Sequence, residues 1–311
     1  MSQTKAQVNK LLTNVSNGLF PKGYAADKVF PQLMVKQSSG ILGGYGLSHL
    51  RASDDLIGGR SEARRVDAIT RDISKTYLIQ KHALEGVVTQ DDYDNVEDPF
   101  SAESDETLGL THRLLTNKEK VTADLLFNTT TFSGKTTTPS TKYSDYSSSD
   151  PLVDFKTAHN AILTNCGQKA NAAIVSRLVA NTLMFHPQLL DRLGFKYNSE
   201  GLLNDEQIKV CLGVDELIIA DAPYNSAKEG QTDVLAQLWS DGILFYVKPS
   251  SAAKYQVSLG YQMKQIGSDS KQVYKYDLNN PVGASGIIVQ EAYQMKIIDA
   301  NAGYFLNDVL A

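Results

Sequence analysis

The five histidines, His49, His82, His112, His159 and His186, are the first candidates for proton transfer or metal binding. None has a second His or Cys three to five positions away, the spacing that brings two ligands to one ion. Each therefore reads as a surface or packed side chain. The run SGKT at residues 133–136 has the end of a phosphate loop, but Thr129 stands where that loop must open on glycine. The backbone cradle for phosphate cannot form there. GILGGYG at 40–46 lacks the spacing of a dinucleotide fingerprint, and GASG at 283–286 lacks that of a nucleophile elbow. In the acidic run DDYDNVED at 91–98, Val96 occupies a position where a calcium loop needs a ligand. Cys166 and Cys211 are the only thiols and stand too far apart for a CxxC pair, so neither a redox motif nor a disulfide framework is expected. No catalytic, cofactor-binding or metal-binding residue is assigned, and the chain reads as a non-enzyme.

The elements that would position such groups suggest a different kind of work. With 42% hydrophobic and 21% charged residues over 311 positions, the chain has the make-up of a soluble globular protein, long enough for about two compact units. A net charge of −5 argues against a strongly cationic nucleic-acid binder. Apolar runs such as ILFYV at 243–247 are far too short to cross a bilayer, and the N-terminus lacks the apolar stretch of a secretion signal. The expectation is a soluble protein of a reducing compartment with no membrane partner.

Val8, Leu11, Leu12 and Val15 follow i, i+3, i+4, i+7 spacing and should share one face of a short helix. Gly18, Pro21 and Gly23 end it, and an extended arm follows. Too short to be stable alone, the helix must dock on its own domain or on a neighbouring chain. Residues 41–80 read as a long hairpin, bent at Gly43, Gly44, Gly58 and Gly59 and turning within 52–60; alternation is clearest over Ile73–Ile79. A two-stranded ribbon of this length is marginal in water and should rest on another surface.

Between Asp91 and Glu106 stand Asp91, Asp92, Asp94, Glu97, Asp98, Glu103, Asp105 and Glu106, with no Lys or Arg. A helical pattern then runs through Leu108, Leu114, Leu115, Val121, Leu125 and Leu126. A helix from about Pro99 to Phe127 would be on the order of 40 Å long. The acids are either a solvated helix start or a docking surface for a basic element; Arg60, Arg64, Arg65 and Arg71 near the hairpin tip supply one.

Residues 128–149 are rich in Ser and Thr and read as a surface loop at a domain boundary. Asp150 and Pro151 open a helix. Strands at 172–175 and 217–220 alternate with helices capped by Ser176 and Asn204. Strand-like segments then recur at 235–239, 243–247, 255–261, 273–276 and 287–295. The class is α+β.

As a whole the chain resembles the major capsid proteins of tailed bacteriophages, which share the Hong Kong 97-type shell fold. AADKVFP at 25–31 looks like that family's entry from N-terminal arm to core. The glycine-punctuated hairpin stands in the place of its extended loop, and a long "spine" helix follows. DPLVDF at 150–155 is similar to the opening helix of its second domain. NAAIV at 171–175, with a helix ending in His186 and Pro187, resembles its first strand and helix there. DAPYNSAKEG at 221–230, with Leu238, Trp239, Tyr246 and Pro249, is the most specific match.

The resemblance implies an arm over 1–40, an extended loop over 41–80, a peripheral domain with the spine helix over 81–150, an axial domain over 151–250, and C-terminal strands over 251–311 returning to the peripheral domain. It implies self-assembly through hexamers and pentamers into an icosahedral shell around a double-stranded DNA genome, without sequence-specific DNA contact. A separate scaffolding protein, a portal and a decoration protein are implied partners. The setting is the virion, assembled in the host cytoplasm. The other readings are an encapsulin-like compartment on the same fold and, from other classes, an enzyme without a recognisable motif or a monomeric binding domain.

Overall fold

The computed structural model describes residues 7–42, 44–45, 50, 52, 71–72, 74–96, 101–194, 202–228, 230–251, 256–267, 271–278 and 283–311. Eight α-helices are present among them: α1 (Lys10–Gly18), α2 (Ala26–Val29), α3 (Gln90–Asp94), α4 (Ala102–Leu126), α5 (Pro151–Cys166), α6 (Arg177–Met184), α7 (Pro187–Arg192) and α8 (Asp205–Leu212). Two larger sheets carry the mixed α+β architecture.

The first sheet has six strands. Its centre is Ala284–Ile297, which pairs antiparallel with Gln80–Thr89 on one side and with Gln272–Leu278 and then Gly260–Gln265 on the other. Gln7–Val8 and Gln32–Val35 close its edges. Helix α4 lies on this sheet. At 25 residues it is about 37 Å long, near the length the sequence suggests. Leu110 and Leu114 meet Val273, Ile287 and Val289 in an apolar cluster.

The second sheet has five strands in the order Glu216–Ala220, Ala172–Ser176, Ile243–Tyr246, Gly303–Leu306, Thr136–Thr137. Its first and last pairs are parallel and the middle two antiparallel. Four apolar residues in a row, such as Ala172–Val175, suit a strand covered on both faces. Helices α5 to α8 pack around it to form the main core. As expected, Asp150 caps α5 with Pro151 at its first position, and Asn204 and Gln207 cap α8 reciprocally.

Residues 128–149 form the largely exposed loop that their Ser and Thr suggest, but Phe132 and Tyr143 pin it, fully buried in the main core. Composition gives no sign of these two aromatic anchors. Two expectations need correction. The C-terminal strands do not all return to the six-stranded sheet: Gly303–Leu306 sits inside the five-stranded one. Finally, Val8 does not share a helix face with Leu11, Leu12 and Val15. Asn9 takes the N-cap position, its side chain accepting from the Leu11 and Leu12 amides, so the helix begins after Val8, which is in a strand.

Candidate assembly surfaces

The N-terminal segment is fastened to its own chain. Val8 pairs with Tyr274, and the Asn9 amide donates to the Val273 carbonyl at 2.9 Å. Leu12 is 5% exposed and joins the cluster of Leu110 and Leu114, so it is unavailable to a neighbour. Ser16 is buried and its hydroxyl lies 2.8 Å from that of Thr111. Thr111 already donates to the Thr107 carbonyl, so Ser16 is the donor. Of the four candidate residues, Val15 is half-buried, Val8 is exposed, and Leu11 faces solvent at 77% exposure.

The foot of the predicted hairpin is present. Ser39–Ile41 pairs antiparallel with Thr76–Leu78, and Gly44–Tyr45 with Arg71–Asp72. Ile79 buries itself against Met263 and Ala292. Gly44 and Arg71 therefore lie in the ribbon, whereas Gly43, Gly58, Gly59, Arg60, Arg64 and Arg65 lie outside the described residues.

The acidic run divides. Asp91, Asp92 and Asp94 are exposed on α3, where Thr89 and Asp92 form a capping box that holds the Asp92 carboxyl below its usual range. Glu97 and Asp98 lie outside the described residues. Glu103 is committed internally: it accepts from the Tyr93 hydroxyl at 2.8 Å and pairs with Lys275 at 2.7 Å. Burial alone would raise its carboxyl, but the Lys275 and Tyr93 bonds bring it below its usual range. Asp105 is exposed, and Glu106 is half-buried over Gly86, where a β-carbon would lie 1.9 Å from its carboxylate oxygen.

The most elaborate polar site was not foreseen. Lys118 and Glu119, adjacent on α4, are both buried and reach in different directions. Lys118 Nζ lies 2.5 Å from Asp27 on α2 and 2.9 Å from Glu291 on the six-stranded sheet. The Tyr293 ring lies 4.6 Å beneath it, and Lys264 also reaches Glu291, at 3.3 Å. Burial pushes the Asp27 carboxyl up, but the Lys118 charge and the hydrogen bonds from Lys118 and Gln262 outweigh it, leaving the group below its usual range. Glu119 accepts from the Ala25 and Ala26 amides at 2.7 and 2.8 Å and from the Trp239 indole at 2.8 Å. Burial dominates there and raises its carboxyl in spite of those three donors. Together the two residues tie α4 to the sheet, to the chain entering the core and to the main body. In sequence, KEK at 118–120 reads as a solvated stretch; only tertiary contact marks it.

Of the residues first scanned for chemistry, His159, His186 and both cysteines have structural settings, while His49 lies outside the described residues. His159 bonds the Leu212 carbonyl at 2.7 Å, and His186 bonds Ser149 at 2.9 Å; burial lowers the pKa of His186. Burial pushes both thiols up, away from the reactive thiolate. No cluster of three or more His, Cys, Asp or Glu suited to a metal occurs among the described residues, nor does a helix long and apolar enough to cross a membrane.

No family model matches the chain. It is 22% identical over 311 residues to a major capsid protein of Burkholderia phage BcepMu, spanning 97% of this chain and 96% of that one. A major capsid protein of Pseudomonas phage JBD67 is 23% identical over 243 residues, covering 77% and 76%. Among solved structures, a phage-related protein from Bordetella bronchiseptica superposes with a TM-score of 0.72 at 18% identity, covering 98% of each chain. The capsid of cyanophage P-SCSP1u gives 0.60 at 10% identity over 94% and 90%. An encapsulin of Synechococcus elongatus gives 0.50 at 10% over 99% and 92%. The chain thus has the fold of phage shell proteins and is similar in sequence to two phage major capsid proteins, to one of them along nearly its whole length.

Proposed function

We propose that this chain is the major capsid protein of a tailed phage, building a closed shell from many copies. The observation that carries this is end-to-end similarity to a phage major capsid protein, joined to the same fold in a solved cyanophage capsid. The finer reading gives α4 the part of a stiff strut and the six-stranded sheet that of a peripheral domain. The five-stranded sheet with α5 to α8 forms the axial domain, which clusters in hexamers and pentamers. The hairpin beyond Gly44 and Arg71 lies over the acidic surface of a neighbour and changes angle at its glycines. The exposed Leu11 face of α1 touches an adjacent copy. A separate scaffolding protein and a portal assist assembly in the host cytoplasm, and double-stranded DNA fills the particle. No turnover is assigned to any residue.

Negative-stain microscopy of the purified protein tests this. Closed, uniform particles are expected; a species that stays monomeric at all concentrations and salts overturns it. The encapsulin reading draws on a superposition at a TM-score of 0.50, against 0.60 for the cyanophage capsid, and predicts a co-purifying cargo enzyme in place of DNA.

A further inference from the structure

Residues 23–31 belong to neither large sheet and bind the lobes built on both. On the five-stranded side, the Gly23 carbonyl accepts from the Asp221 amide at 2.9 Å, the Val29 carbonyl from the buried Tyr246 hydroxyl at 3.0 Å, and the Lys28 carbonyl from Lys248 Nζ at 2.6 Å. On the six-stranded side, the Gln262 backbone N–H donates to the Pro31 carbonyl at 3.1 Å, and its side chain donates to Asp27 at 2.9 Å. Phe30 is buried in the main core, yet a β-carbon on Gly260 of the six-stranded sheet would lie 2.8 Å from its ring. Helix α4 has residues in the apolar clusters of both lobes and grips the middle of the segment through Lys118 and Glu119. Glu119 also accepts from Trp239, so one carboxylate holds both the segment and the main body.

The chain passes between the lobes after Ile243–Tyr246 and again after Ala284–Ile297. These two crossings lie side by side, the Val247 amide donating to the Ala302 carbonyl at 2.9 Å. Adjacent crossings at the ends of elements form a hinge line, and a hinge line leaves the angle about it to be set by other contacts. We propose that residues 23–31 are a clasp that sets the angle between the two lobes and couples it to the N-terminal arm, so that the lobes turn about the crossings only when the clasp gives. The arm runs straight into it: α1 and the exposed Phe20 lie immediately upstream of Gly23. A pull on the arm therefore reaches both sheets through nine residues, along a continuous set of hydrogen bonds and packed side chains. This goes beyond the shell reading and does not depend on it.

The experiment measures the distance between spin labels placed one on each lobe of the full chain, at Asp91→Cys on α3 and Leu163→Cys on α5, both exposed. Cys166 and Cys211 are buried and stay unlabelled. Labelled protein is diluted in unlabelled protein, so the distance is that within one subunit whether or not copies assemble, and failure of the shell reading leaves the result intact. The labelled parent should give one narrow distribution. E119Q opens the clasp from α4, and D27N/Y246F opens it from the segment itself and from the five-stranded sheet; each should shift or broaden the distribution by about 2 Å or more. F155L is the control: Phe155 packs on Tyr143 and Phe245, outside the clasp, and its loss should weaken the fold while leaving the distance unchanged. Circular dichroism checks that each variant is folded, and D27N/Y246F carries the test if E119Q is not. An unchanged distribution in a folded clasp variant overturns the proposal, as does equal broadening in F155L, which would mean that any loss of stability loosens the lobes.

Discussion

Lys118 and Glu119 show how much one helical turn can decide. A lysine that is 1% exposed is tolerable only because Asp27 and Glu291 surround it, and removing either side leaves charge stranded in the interior. Lys118→Met should destabilise the subunit by about 3–5 kcal/mol. In a cycle with Glu291→Gln, urea denaturation should give a coupling above about 1 kcal/mol; strictly additive costs would mean that the 2.9 Å contact carries no energy. The same substitution has a pH signature. Asp27 is held below its usual carboxyl range, so its contribution is complete above the unfolded value and fades as pH falls through the lower folded one. Without Lys118 that loss comes earlier, and acid unfolding followed by circular dichroism should move to higher pH. Glu119 works in the opposite sense, its raised carboxyl favouring the fold most at low pH. Its replacement by Ala is expected to cost about 3 kcal/mol or more, because two amides and an indole N–H lose their acceptor together. None of this pairing is legible in the sequence, where charges on a helix look alike whether solvated or enclosed.

At the level of elements, legibility followed local chemistry. The caps at Asp150 and Asn204, the long helix, the buried strands at 172–176 and 243–246 and the foot of the hairpin all announce themselves through neighbouring residues. The inward stripe of α4 does not, since it includes Thr107, Thr111, Lys118, Glu119 and Thr122, while the expected Val121 is half exposed. A polar stripe becomes a packing face only when another element brings matching partners, as Ser16 does for Thr111. The arm illustrates a tighter constraint. Gly23 has φ +88°, and a β-carbon there would lie 2.6 Å from the Asp221 carbonyl, whose own amide donates to the Gly23 carbonyl. Gly23→Ala combines an unfavourable backbone with a backbone clash and should cost about 2 kcal/mol or more in thermal or chemical melts. A Tm equal to wild type would show that arm and body part easily at this point.

For the whole molecule, the informative feature is how little of the outward surface the chain uses for itself. Leu11, Phe20 and Leu235 remain uncovered after two sheets and eight helices have folded. The shell reading is legible in the order of the segments, but the anchoring of a Ser- and Thr-rich stretch by Phe132 and Tyr143 and the crossing of the last strand to the five-stranded sheet are not. If the hairpin tip docks on a neighbour, R64E/R65E should lower particle yield while leaving the monomer's melting curve unchanged. Full yield from that variant would remove the hairpin from the list of contacts.

The position of Gly303–Leu306 between Ile243–Tyr246 and Thr136–Thr137 carries a consequence in time. Every other strand of that sheet is synthesised earlier, yet one edge of Ile243–Tyr246 and the whole of Thr136–Thr137 find their partner only when the late segment slots in. The lobe therefore stays unfinished until that segment has been made, and its closure joins stretches that lie far apart along the chain.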